Sequence, residues 1–337
     1  MPTISDVARQ AGVSVSTVSK VLNDRPNVRQ EVRERVRRIM AETGYRPSVM
    51  ARALHTKRTQ TLAYLVPSIE NPFFSSVLRT VEDTAHRHGY GVFVGSTYGD
   101  PDRVAVYRER LLTMGVDGVL AAQSWDIVSG DLIPTLLERG VPVVGVGGTR
   151  VAPTIDCYVP DDVAGGEMAA GYLLGLGHRA IAFVGASESR TTELRYAGVR
   201  RALAAVGIEH DAALFVGVPG FSEEDGAAAV YELLMRHSAF TGIIAFNDVV
   251  AMGVLNALED QGFSVPARAS LVGFDDTISA YSRPKMTTVA CSKSELAEQS
   301  VRHLLARIAG QNDPPAVHPM KMHLVARAST SVPYEGS

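Results

Sequence analysis

Residues 3–22, TISDVARQAGVSVSTVSKVL, read as two short helices joined by a tight turn. Thr3 and Asp6 stand three apart, a capping-box-like start in which the first free amides of a helix find oxygen partners. Ile4, Val7, Ala8 and Ala11 follow at helical spacing and make one apolar stripe. Gly12 is free to take the left-handed conformation that ends the helix. Ser14 suits the cap of a second helix, in which Val18, Val21 and Leu22 face inward and Val15, Ser16, Ser19 and Lys20 stay outside. This is a helix-turn-helix pattern, whose exposed second helix suits a DNA major groove. An ordinary helical hairpin has the same local pattern, so the rest of the chain must separate the two readings.

The chain has 337 residues, enough for two or three domains and a large core. It contains no run of about eighteen uninterrupted apolar residues. Its N-terminus is polar from Thr3 onward, where a signal peptide would be apolar. The expectation is a cytoplasmic protein without a membrane partner. Cys157 and Cys291, far apart and without metal-ligand spacing, are expected to be reduced thiols in a core. The net charge of −3 would by itself argue against nucleic acid, but its distribution matters more. Residues 1–60 carry 12 Lys or Arg against 5 Asp or Glu, a net of +7, which leaves −10 for the remainder. A basic N-terminal module suited to polyanions is thus joined to an acidic body.

After the turn-rich segment 23–27, a third helix is expected from Arg29 to Thr43, with Val32, Val36, Ile39 and Met40 as its apolar stripe. Arg29, Arg33, Arg35, Arg37 and Arg38 surround that stripe, and Gly44 ends the helix. Pro47 can open a further short helix, SVMARALHT, over residues 48–56. Isolated helices need roughly 12–15 residues to be stable in water. This segment is therefore expected to fold on DNA, with Leu54 as an apolar wedge in the minor groove.

From Thr61 the pattern changes. Apolar runs bounded by turn residues occur at TLAYLVPS, YGVFVGS, GVDGVLAAQ, VPVVGVGG, AIAFVGAS, ALFVGV, GIIAFND and SLVGFDD, and amphipathic helical patterns separate most of them. Buried strands alternating with helices specify an α/β fold of parallel sheets covered on both faces. The number of units suits two doubly wound sheets. Ligands collect at the carboxyl ends of such strands, so the loops of the two halves should line a shared cleft.

With both regions in view, the chain resembles the lactose-repressor/galactose-repressor family of bacterial transcription regulators along essentially its whole length. TISDVARQAGVSVSTVSKVLN, RERV, GYRP and ARAL carry the N-terminal resemblance. NPFF, GHRAIAFVG, RYAG, FNDVVAMG, LVGFDD and a late TTV carry it through the body. The resemblance implies an all-α helix-turn-helix headpiece (1–45), a hinge (46–60) and a two-lobed periplasmic-binding-protein-like body (61–337). It places the first lobe at 61–159 and 291–319 and the second at 160–290 and 320–337. It also implies a homodimer, an operator of two inverted half-sites in double-stranded DNA, and a small effector that shifts DNA affinity. Because no heptad tail follows Arg327, a dimer is favoured over a tetramer.

Carried over position by position, the resemblance makes Val15, Ser16 and Lys20 the readers of base edges. Their chemistry agrees: Lys20 can donate to guanine, Ser16 to several bases, and Val15 can touch a thymine methyl. Thr17 and Ser19 are expected on phosphates, Leu54 as the hinge wedge and Ala51 beside it. Arg29 and Ser48 depart from the family pattern, the first where a hydroxyl cap is usual, the second where asparagine is usual.

In the cleft, Phe73 and Phe74 match an apolar wall, Arg195 the anchor of the effector, and Asp275 the carboxylate that accepts from it. Asn247 and Phe221 match further contacts, and Ser189, Thr191, Gln123 and Ser124 are candidates beside them. Asn247 equally suits capping the next helix, and Asp275 equally suits pairing with Arg195. Gly147 stands where several members carry an aspartate. With Arg190 and Arg195 near and fewer carboxylates, the residues favour an anionic ligand, a sugar acid or sugar phosphate, over a plain neutral sugar.

An enzyme is not indicated. The nine histidines are scattered without paired metal spacing, and no serine sits in G-x-S-x-G. No cofactor or metal ligand is expected. A sugar-binding transport protein would explain the body but not the basic N-terminal end.

Overall fold

The computed structural model describes residues 2–22, 25–45, 58–236 and 239–333. The expected hinge helix, with Ala51 and Leu54, lies outside the described residues, as does Ser48. The chain forms two compact units, residues 1–60 and 61–337.

In the first unit the helices are α1 (Ile4–Ala11), α2 (Val15–Leu22) and α3 (Gln30–Thr43). Thr3 and Asp6 form the capping box: the Asp6 amide donates to Thr3 Oγ1 at 3.3 Å and the Thr3 amide to Asp6 Oδ2 at 3.0 Å. Gly12 has φ +63° and donates back into the last turn of α1, closing the tight turn into α2. Val7, Ala8, Ala11, Val18, Val21, Val36 and Ile39 form the core, so each helix contributes its apolar stripe. Helix α3 begins one residue later than the spacing predicts. Arg29 precedes it without a side-chain cap bond, because its guanidinium offers no acceptor for the free amides.

The second unit contains two six-stranded sheets. Strands β1 (Thr61–Val66), β2 (Gly91–Ser96), β3 (Gly118–Gln123), β4 (Val143–Gly148), β5 (Asp156–Pro160) and β11 (Val317–Met320) form one, in the order β11-β5-β4-β3-β1-β2. Strands β6 (Ile181–Ala186), β7 (Phe215–Val218), β8 (Gly242–Ala245), β9 (Ser270–Phe274), β10 (Thr287–Cys291) and β12 (Met322–Val325) form the other, in the order β12-β10-β9-β8-β6-β7. Neighbouring strands run parallel except β10 and β12. The helices are α4 (Pro72–Arg87), α5 (Pro101–Met114), α6 (Trp125–Val128), α7 (Leu132–Glu138), α8 (Asp162–Gly175), α9 (Arg190–Ala204), α10 (Glu223–Met235), α11 (Asp248–Asp260) and α12 (Lys293–Ile308).

Every residue of β3, β5, β6, β8, β9 and β10 is buried, the mark of strands covered on both faces. The chain passes from the first sheet to the second after Pro160, returns after Cys291 to place α12 on the first core, and crosses again between Met320 and Met322. Cys157 and Cys291 are buried free thiols.

One packing detail positions the cleft. A Cβ on Gly166 of α8 would lie 1.9 Å from the Arg195 carbonyl oxygen, and one on Gly198 of α9 would lie 2.1 Å from that of Val163. Only glycine lets the two helices approach so closely, and that approach brings Asp162 at the start of α8 to Arg195 of α9.

Candidate functional site

Two candidate sites follow from these elements, one in each unit. On α2, Val15, Ser16 and Lys20 are exposed, Thr17 and Ser19 are half-buried, and Val18 and Val21 face the core. Ser14 Oγ orders the first turn: it accepts from the Thr17 amide at 3.2 Å and shares hydroxyl bonds with Ser16 at 2.8 Å and Thr17 at 2.9 Å. A short side-chain row is thus presented on a fixed helix, with donors and one apolar group, as reading base edges requires. Arg35, Arg37 and Arg38 of α3 are exposed as well. Arg33 Nη2 instead ties the preceding loop, donating to the Arg25 carbonyl at 2.7 Å.

In the second unit the centre is Arg195, only 5% exposed. Its Nε donates to Asp162 Oδ1 at 2.7 Å, its Nη2 to Asp275 Oδ1 at 3.4 Å, and its Nη1 to the Phe246 carbonyl. The guanidinium lies 4.2 Å from the Phe274 ring centre and 5.2 Å from that of Phe246, and Phe221 packs on Phe246 at 5.1 Å. Burial disfavours the charge on Arg195, but Asp162 and Asp275 outweigh it and raise its pKa. Burial pushes Asp162 above the usual carboxylate value, against the pull of Arg195. Asp162 Oδ2 is buried and has no hydrogen-bond partner.

Asp162 is the residue that sequence reasoning missed. Its one signal was a carboxylate just beyond β5, where ligands of such sheets collect. Neighbouring Asp161 is the helix cap, accepting from the Ala164 amide at 3.1 Å.

Asp275 takes φ +93°, an unusual conformation for a non-glycine residue, and Lys293 Nζ donates to its carbonyl. Behind it, Asp248 accepts from the Thr277 amide at 2.6 Å and from Thr288 Oγ1 at 2.8 Å. Burial, with the nearby Asp275 charge, pushes Asp248 up to about 6. Asn247 caps α11, its Oδ1 accepting from the Val250 amide at 2.8 Å. Its capping role is therefore real.

The first lobe contributes Phe73, buried, edge-on to half-buried Phe74 at 5.3 Å. Gly147 has φ +67°, and a Cβ there would meet Phe73 Cε1 at 3.0 Å, so this position favours glycine and excludes an unstrained aspartate. Ser124 Oγ is buried without a hydrogen-bond partner. Gln123 requires a correction. It is 2% exposed, its amide donates to the Ala121 carbonyl at 3.1 Å, and its Oε1 accepts from the Ala152 amide at 3.2 Å. Its polar atoms are committed to the lobe's own framework.

The lobes meet across the cleft where Thr149 Oγ1 and Thr191 Oγ1 lie 3.1 Å apart. Beside them an open cavity of about 390 Å³ is lined by Val128, Ser129, Thr149, Arg150 and Val151 from one lobe and by Arg190 and Glu193 from the other. Arg190 is exposed and pairs with Glu193 at 2.6 Å, and Ser189 caps α9. The premise of an arginine pair with few carboxylates is thereby corrected. Each arginine has its own carboxylate partner, Glu193 for Arg190 and Asp162 with Asp275 for Arg195.

No helix among the described residues is long and apolar enough to cross a membrane. Residues 3–48 match the family model "Bacterial regulatory proteins, lacI family", and residues 170–330 match "Periplasmic binding protein-like domain". The chain is 35% identical over 336 residues to the HTH-type transcriptional regulator DegA of Bacillus subtilis (strain 168), with 98% of each chain covered. A solved structure of a transcriptional regulator CelR–cellobiose complex is similar at 29% identity and TM-score 0.73, covering 98% of this chain and all of that one. A lac repressor dimer bound to operator and the anti-inducer ONPF is similar at 26% identity and TM-score 0.88, covering 98% of this chain and 99% of that one. With the helix-turn-helix and the two parallel-sheet lobes in place, the chain belongs to the lacI family of bacterial regulatory proteins and is a DNA-binding regulator, not an enzyme.

Proposed function

We propose that the protein is a cytoplasmic repressor that binds an inverted-repeat operator as a homodimer and is controlled by a neutral, polyhydroxylated molecule of the sugar class held between its lobes. On this reading Val15, Ser16 and Lys20 read bases, Thr17 and Ser19 hold phosphates, and Ala51 and Leu54 enter the minor groove. The operator-bound lac repressor dimer supports the DNA side of this reading, and the CelR–cellobiose complex supports a sugar.

The observation that carries the ligand class is the cluster at Arg195. Its positive charge already faces two carboxylates, and Asp162 Oδ2 is a buried acceptor awaiting a donor. A sugar hydroxyl donates to that oxygen, whereas an added carboxylate or phosphate is repelled by Asp162 and Asp275. Phe73, Phe74 and Phe221 supply apolar faces for a ring. Ser124, Ser189, Arg190, Thr191 and Asn247 are the further polar candidates around it, with Arg190 at the mouth.

The test is a thermal-shift panel of matched neutral sugars, sugar acids, sugar phosphates and purine bases, followed by titration of the best binder. A neutral sugar should stabilise the protein, and Asp162→Asn should weaken its binding at least about tenfold. Binding confined to acids, phosphates or purines would overturn the ligand class.

A further inference from the structure

Among the described residues, one group of acidic, histidine or cysteine side chains is compact enough to share a metal ion: Asp156, His303 and His318, with ligand atoms within 4.8 Å of one another. They come from three elements, Asp156 from the start of β5, His318 from β11 beside it, and His303 from α12. Their wide sequence separation hides them from any spacing motif. His303 Nε2 lies 3.2 Å from Asp156 Oδ2, and His318 Nε2 lies 3.7 Å from Oδ1. Ligands of a tetrahedral zinc ion with bonds near 2.0–2.1 Å stand roughly 3.4 Å apart.

Both Nε2 atoms are buried, and neither has a hydrogen-bond partner despite the carboxylate beside it. Buried polar atoms are normally paired, so two such nitrogens at one carboxylate need an explanation. The surrounding groups prepare them as ligands. His303 Nδ1 lies 3.0 Å from Tyr158 Oη, and a proton there leaves the lone pair on Nε2. His318 stacks on the Tyr158 ring at 4.4 Å and 15°.

Arg307 shapes the remaining coordination. Its Nε and Nη2 donate to Asp156 Oδ2 at 2.9 and 2.6 Å, which uses both lone pairs of that oxygen. Oδ1 accepts the Ala316 amide at 3.0 Å and keeps a lone pair. The guanidinium also opposes a cation, so affinity should fall below that of a closed four-ligand site.

We propose that Asp156 Oδ1, His303 Nε2 and His318 Nε2 bind a divalent cation of the zinc class, with water in a fourth position. The ion clamps β11 to β5 and α12, immediately before the chain makes its last crossing between lobes at Lys321. Two imidazoles and one carboxylate suit zinc better than magnesium or calcium, which take all-oxygen shells.

The experiment is calorimetric titration of ZnCl2 into chelator-treated full-length protein, paired with zinc-edge X-ray absorption on the unaltered chain. One ion per chain should bind, at least about tenfold more weakly in His303→Gln and in His318→Gln. The absorption spectrum should show two imidazoles and oxygen ligands, a readout that does not depend on how the variants fold. No binding at millimolar zinc, undiminished binding in both variants, or a ligand shell without two imidazoles would each overturn the proposal.

Discussion

On α2, the exposed side chains Val15, Ser16 and Lys20 stand apart from Val18 and Val21, which fill the core; around Arg195 no such division exists. Arg195 is buried, ties α9 to Asp162 of α8, to the end of β8 and to Asp275 beyond β9, and is also the proposed ligand anchor. On the proposed function, recognition and stability rest on different residues of one helix in the first unit. In the second the same proposal puts both on one residue, so changes there should move both properties together.

The largest expected effect tests that coupling. Arg195→Met leaves Asp162 and Asp275 buried near each other without their cation, and should cost about 3–5 kcal/mol in urea unfolding. A loss under about 1 kcal/mol would make Arg195 a pure ligand contact and remove the contrast. Next is a pH effect confined to the body. Asp248 is raised from 3.8 to about 6 by burial. Its contribution to stability is thus fully present below pH 3.8, in the protonated form, and is lost as pH rises through about 6. The difference in unfolding free energy between the parent protein and Asp248→Asn should change by about 3 kcal/mol across that window. A pH-independent difference would show that Asp248 does not titrate there. The smallest effect on stability is expected on α2: Lys20→Ala should alter it by under about 0.5 kcal/mol. The same change should relax preference at one base pair of each half-site by about 1–3 kcal/mol. Uniform weakening on all sequences would make Lys20 a phosphate contact.

The same contrast explains what was legible in the sequence. The first unit's elements are local: caps, glycine turns and apolar stripes lie within a few residues, and α1 to α3 follow from them. In the body, the eight apolar runs correspond to β1–β4 and β6–β9. Strands β5, β10, β11 and β12 were not marked by such runs. DCYVP begins with a charge and ends in proline, TTVAC begins with two hydroxyls, and VHPM and MHLV are half-exposed edges. These four strands carry the crossings between sheets, and their places are set by long-range pairing.

Site residues divide likewise. Phe221, Arg195 and Asp275 form one cluster, while Asp162 joins it only because Gly166 and Gly198 let two helices approach. Two adjacent aspartates look alike in sequence, yet Asp161 caps α8 and Asp162 meets the arginine. Gln123 looked equally available until its amide met backbone groups on both sides.

On the proposed function, a neutral ligand held near Arg195 controls operator binding. Fluorescence anisotropy with a selected operator, with and without saturating amounts of the best neutral sugar from the panel, tests it most directly. Effector coupling of about 1–3 kcal/mol corresponds to a change in operator Kd of roughly 5–150-fold. That change is predicted for the parent protein, and for Asp162→Asn its midpoint should move to a sugar concentration at least about tenfold higher. An operator Kd that stays the same at saturating sugar would contradict the account.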